Sequence, residues 1–158
     1  MTHEKWLNKA IKMAVENVIE GGGPFAAIVV NGDKVIGTGT NLVHQHNDPS
    51  AHAELIAIRE ACATLSSTDL SDCILYASGE PCPMCLGAAY WATVGKIYYA
   101  CSKSEALKQA SFGNPLDSFF QEQQLEPENR SVPFIQLAAT ESLAPFHEWN
   151  RANKKTSR

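Results

Sequence analysis

Two short stretches carry the residue types of metal chemistry: His52-Ala53-Glu54 and, about thirty residues later, Pro81-Cys82-Pro83-Met84-Cys85. One imidazole and two thiolates are a donor set of the softness Zn²⁺ favours, and three protein ligands leave a tetrahedral position open to water, as a catalytic zinc requires. Cys82 and Cys85 are three apart, so on a helix both side chains can face one ion. A helix that begins at the motif adds the unpaired N–H groups of its first turn and the positive end of its dipole, which favour thiolates. Glu54, two residues beyond the imidazole, can stand beside the open position and take a proton from an activated water. Taken alone, it reads better as a first-turn glutamate balancing a helix dipole. A structural metal site would need a fourth ligand. Cys62, Cys73, Cys101, His44 and His46 are the candidates, and none belongs to a second C-x-x-C or H-x₃-H pair.

The surrounding pattern must place both motifs at helix starts. Trp6, Leu7, Ile11, Ala14, Val15 and Val18 recur at helical spacing until Gly21-Gly22-Gly23-Pro24 stops them. Residues 25–30 then read as a strand, Asn31-Gly32-Asp33 as a hairpin turn and 35–40 as the returning strand. Asp48-Pro49-Ser50 is expected to cap a helix over 51–65, with Leu55, Ile58, Cys62 and Leu65 on one face. A strand over 73–77, a helix over 81–92 and a strand over 96–100 follow. Gly113, Asn114, Pro115 and Pro127 break residues 104–129 into short helical fragments, before a last strand over 133–138 and a last helix over 143–155 with Phe146 and Trp149. Strands alternating with helices imply an α/β fold: a three-layer α/β/α sandwich around a five-stranded mixed sheet.

A chain of 158 residues suits one domain, 1–158, and is short for two. The formal net charge of −4 offers no electropositive excess to neutralise phosphates, which argues against a nucleic-acid substrate. The amino terminus lacks the apolar core of a signal peptide, and no apolar run approaches a membrane span, so a cytoplasmic location without a membrane partner is expected. Five cysteines without a secretory signal read as thiols rather than a disulfide framework.

H-x-E followed by P-C-x-x-C is the signature of the zinc-dependent nucleobase deaminases. Together with GGPFAAIVV, NDPSAHAELIAIREAC, DCILYASGEPCPMCLGAAYWA and the carboxy-terminal PFHEWNRANKK, it makes the chain resemble the cytidine deaminase-like superfamily. Within that superfamily it resembles the bacterial guanine deaminases, over nearly its whole length. The metal motifs carry the broader likeness; the ends of the chain carry the narrower one. The resemblance implies Zn²⁺ on His52, Cys82 and Cys85, proton transfer by Glu54, and hydrolysis of guanine to xanthine and ammonia in purine metabolism.

The same resemblance implies roles around the substrate. Asn41 matches a substrate-binding asparagine whose amide would hydrogen-bond the purine edge; its other reading is a turn residue. Asp117 resembles an aspartate that accepts from the N–H groups of guanine, although Gly113-Asn114-Pro115 departs from the family pattern. Its other reading is a solvent-facing residue beside a short helix at Ser118. Phe25 and Trp91 offer flat surfaces to a base, and serve equally as core aromatics. A homodimer is expected, with the helix of residues 143–158 crossing to close the partner's site. Thr156-Ser157-Arg158 stands where the family has an aromatic that contacts substrate across the dimer. Rival readings keep the zinc centre but act on guanosine, cytosine, an amino-triazine or tRNA adenosine, or use the metal only to staple a noncatalytic binding module.

Overall fold

The computed structural model describes residues 2–110 and 118–154. The hydroxyl of Thr2 accepts from the Lys5 N–H and starts α1 (His3–Ile19), which buries Trp6, Ala10, Ala14 and Asn17 along one stripe. β1 (Gly23–Asn31) and β2 (Lys34–Asn41) form an antiparallel hairpin that turns at Gly32, whose φ of 59° explains the glycine. After the short α2 (Val43–His46) come α3 (Ala53–Leu65), β3 (Cys73–Gly79), α4 (Pro83–Trp91), β4 (Lys96–Cys101) and α5 (Lys103–Gln109). β3 pairs antiparallel with β1 and parallel with β4, giving the order β2-β1-β3-β4.

Successive side chains on a strand face opposite ways, so the apolar run of β1 serves two cores at once. Ala27 and Val29, with Cys73 and Leu75 of β3, pack against Ala53, Ala57, Ile58 and Ala61 of α3 and Ala89 of α4. Ile28 and Val30, with Tyr76, meet Trp6 and Ala10 of α1 on the other face. The three layers are therefore those expected.

Close backbone contact sets the depth of α3. A Cβ added at Gly37 or Gly39 of β2 would overlap the carbonyl oxygens of Ala57 and Ala53, and Ala53, Ala57 and Ala61 are all fully buried. Small residues four apart on the helix thus lie directly on a strand that lacks side chains there. The helix start that carries the first metal motif is held at one depth against the sheet.

Two expectations need correction. Among the described residues the sheet has four strands, not five. Residues 133–138 form no ladder, because a strand exists only beside a hydrogen-bonding neighbour and Pro133 lacks an amide hydrogen. The helix expected from 51 begins at Ala53, since Asp48 accepts from both the N–H (2.8 Å) and the hydroxyl (2.7 Å) of Ser50 and so shapes a turn instead of capping the helix. The chain divides into two compact units, Met1–Leu116 and Asp117–Arg158. The second holds α6 (Phe119–Glu122) and α7 (Ala144–Lys154), and none of its described residues is buried. Among the described residues no helix is long and apolar enough to cross a membrane, and all five cysteines are free thiols.

Candidate metal centre

The two metal motifs open their helices in the same way. His52 occupies the N-cap of α3 with φ −74° and ψ 148°, and Cys82 the N-cap of α4 with φ −71° and ψ 169°. Neither side chain caps its own helix, which leaves both to turn outward as ligands. Pro83, in the first turn, presets the helical φ without losing a needed donor. Glu54 and Cys85 follow in the first turns of the two helices, so two positive dipole ends meet where the ligands converge. The residues ahead of Cys82 are tied down as well: the Glu80 N–H donates to the Cys101 carbonyl (2.8 Å), and its carboxylate accepts from the Lys103 N–H (2.8 Å).

The Nδ1 of His52 lies 3.6 Å from the Sγ of Cys82 and 3.5 Å from that of Cys85, and the two sulfurs are 3.5 Å apart. A tetrahedral zinc with Zn–S near 2.3 Å and Zn–N near 2.0–2.1 Å has S–N edges of about 3.6 Å and an S–S edge of about 3.8 Å. The triangle fits one face of that tetrahedron, with no fourth protein ligand grouped with it among the described residues. Among the described residues this is the group whose ligand atoms converge, and Cys62, Cys73, Cys101, His44 and His46 do not join it.

Glu54 faces the same triangle. Its carboxylate is buried, only 6% exposed, and its Oε2 accepts from the Cys85 thiol at 3.4 Å. Burial pushes its pKa above the ordinary carboxylate value. Among the side chains themselves the first proton leaves Cys82, brought down to about 4 chiefly by the hydrogen bond with Cys85 and further by His52. Cys85, hydrogen-bonded to Cys82 and buried, is held up. His52 is raised, first by its hydrogen bond to Cys82. The cluster is thus built around negative sulfur, and a divalent cation is the charge that would let both thiols ionise.

Asn41 and Phe25 arrive at this end of the sheet. Gly23 at the start of β1 pairs with Asn41 at the end of β2. The Phe25 ring lies against Gly79, at the end of β3 that leads into the cysteine motif. Both side chains are half-buried, and the Asn41 Oδ1 accepts from the Val43 N–H at 3.3 Å. Trp91 stands on α4 itself. It ends α4, roughly 9 Å along the axis beyond Cys85 at about 1.5 Å per residue, and is 89% exposed. Asp117 lies outside the described residues. The sequence reading passed over Asn17, although a polar residue on the buried stripe of an amphipathic helix was the available signal.

Residues 1–101 match the family described as the cytidine and deoxycytidylate deaminase zinc-binding region. The chain is 48% identical over 158 residues to guanine deaminase of Bacillus subtilis (strain 168), covering 98% of this chain and 99% of that one. The X-ray structure of guanine deaminase from Bacillus subtilis aligns with a TM-score of 0.88 at 44% identity, over 96% of this chain and 95% of that one. The crystal structure of NE0047 in complex with 2,6-diaminopurine aligns with a TM-score of 0.66 at 33% identity, over 70% of this chain and 62% of that one. A tRNA-specific adenosine deaminase of Aquifex aeolicus (strain VF5) is 34% identical over 117 residues, 74% of this chain and 78% of that one.

Proposed function

Because the chain belongs to the cytidine and deoxycytidylate deaminase family, we infer that it is a zinc-dependent hydrolase that converts guanine to xanthine and ammonia. The observation that carries this reading is the His52–Cys82–Cys85 triangle with the buried Glu54 carboxylate on its edge. Near full-length likeness to a guanine deaminase selects the purine among the amines that such a centre can serve.

His52, Cys82 and Cys85 would hold the metal. A zinc bound there supplies a Lewis acid that brings the pKa of water toward neutrality. Glu54 does the proton work. It takes the proton that water loses as oxygen bonds to the amine-bearing carbon, and delivers it to a ring nitrogen. It then takes the proton of the newly attached hydroxyl and delivers it to the amine as the C–N bond breaks, so one carboxylate acts as base and acid in turn. Burial helps by raising its pKa toward the working pH. The Asn41 amide is proposed to hydrogen-bond the purine edge and Phe25 to lie against its flat face. Asp117 is proposed to accept from the guanine N–H groups.

Ammonia release from guanine, guanosine, cytosine, an amino-triazine and tRNA tests the substrate assignment. Guanine is expected to give the highest kcat/KM, and a clear preference for another amine would replace it. In the same assay Asp117→Ala is expected to lower guanine kcat/KM by about 10- to 100-fold, the worth of hydrogen bonds to a charged group, with zinc content unchanged. Parental efficiency would return Asp117 to a solvent-facing role.

A homodimer is proposed, with α7 exchanged between subunits. Leu137, Phe146 and Trp149 are 82%, 64% and 70% exposed, and a helix of 11 residues needs a docking surface to persist. Deleting residues 143–158 should give a monomer with little guanine turnover. A truncated chain that stays dimeric, metallated and fully active would eliminate the exchange. A cytoplasmic setting is proposed alongside, in keeping with the free thiols.

A further inference from the structure

The hairpin that ends in Asn41 is irregular where it matters. The β1–β2 register shifts between Gly23 and Ala26, and Pro24 inside that interval has no N–H to give the ladder. The carbonyls of the last pair, Gly23 and Asn41, find another donor: the Asn17 Nδ2 donates to the Gly23 oxygen at 2.8 Å and to the Asn41 oxygen at 2.9 Å. Both hydrogens of a buried amide, 5% exposed, are thus spent on two strand ends. The Asn17 main-chain carbonyl accepts from the Gly22 N–H at 2.7 Å. On the other side, a Cβ at Gly23 would stand 2.7 Å from the Cγ and Oδ1 of Asn41, so the absence of a side chain there gives the Asn41 amide its place.

We propose that Asn17 is a positioning residue for the purine site: it fixes the strand end from which the Asn41 amide reaches the substrate. The proposal rests on the reading of Asn41 as a purine contact. The metal side has hydrogen bonds of its own, besides one link to this strand end, the Leu42 N–H donating to the Ala51 carbonyl (3.0 Å). Ala51 N–H donates to the Asp48 carbonyl (3.0 Å), His52 N–H to the Ser50 carbonyl (2.7 Å), and the His52 carbonyl accepts from Ile56 (3.0 Å). Loss of the Asn17 clamp therefore acts first on guanine binding, while the bonds local to His52 keep the zinc ligand in place.

The test uses the zinc-loaded full-length chain with Asn17→Ala, Asn17→Asp, Asn41→Ala and the Asn17→Ala, Asn41→Ala pair. Asn17→Asp keeps the shape and turns a donor into an acceptor facing two carbonyls. Gly23→Ala is a second route, which displaces the same amide without removing the clamp. Zinc content, kcat and KM are measured for each, with equilibrium guanine binding in a Glu54→Gln background to separate binding from turnover. The Asn17 and Gly23 variants are expected to raise KM by about tenfold, the size of one or two lost hydrogen bonds, with parental zinc and a smaller change in kcat. Adding Asn17→Ala to Asn41→Ala is expected to change guanine binding by less than about twofold, since coupled residues are not additive. The proposal is overturned if folded, metallated Asn17 and Gly23 variants bind guanine as the parent does, or if the Asn17 and Asn41 effects multiply. If Asn41→Ala binds guanine normally while Asn17→Ala does not, the reading of Asn41 fails and the route through it fails with it.

Discussion

Glu54→Gln is expected to retain one zinc per chain and to lose about 10²–10⁴-fold in guanine turnover, the usual worth of general acid–base catalysis. That is about 3–5 kcal/mol of barrier. Glutamine fills the same buried volume, and its amide can donate to the Cys85 sulfur once that sulfur is ionised, in place of the 3.4 Å contact the Glu54 carboxylate makes. What it cannot do is carry a proton. The fold should gain from the change. Burial raises the Glu54 pKa, so the folded protein binds that proton more tightly than the unfolded chain. Stability from this group then falls as pH rises through the window between the ordinary carboxylate value and the raised one. At neutral pH, above the ordinary carboxylate value, the parent bears the cost of either burying the charge or holding the proton, and the glutamine variant bears neither. Zinc-stripped Glu54→Gln is therefore expected to melt at or above zinc-stripped parent. Near-parental deamination by the metallated variant would remove Glu54 from the mechanism.

Cys82→Ala, Cys85→Ala should lose both zinc and turnover completely. A single imidazole cannot hold Zn²⁺ against water, and no other described cysteine or histidine stands ready to replace the sulfurs. Collapse of the protein is not the expected cause. The two core clusters contain neither cysteine, and the side-chain volume removed is small. Metal analysis beside circular dichroism separates the effects: native secondary structure, near-zero zinc and background ammonia release are expected. Full zinc occupancy in the double variant would overturn the ligand assignment.

The chemistry was legible in the chain because it is local. His52-Ala53-Glu54 and Cys82 to Cys85 each span about one helical turn, and spacing within a turn dictates which side chains share a face. The elements that carry them were legible for the same reason, through periods of 3.6 and 2 residues. The error of two residues at the start of α3 was not trivial, however. The observed start puts His52 at the N-cap, where its extended backbone turns the imidazole away from the helix.

What only the tertiary structure decided was distance between residues far apart in sequence. Trp91 follows the cysteine motif closely in sequence, and the structure places it at the exposed end of α4. Asn41 looked like a turn residue or a family match, and its placement depends on an amide twenty-four residues earlier in α1. Gly37 and Gly39 gave no sign that α3 rests on them, since close approach of two backbones is a property of packing. Residues 133–138 have a strand's composition without a strand's partner. Propensity and ligand spacing act over a few bonds and can be read from neighbours, whereas pairing, burial and close approach depend on which surfaces meet, and that is settled only when the whole chain has folded.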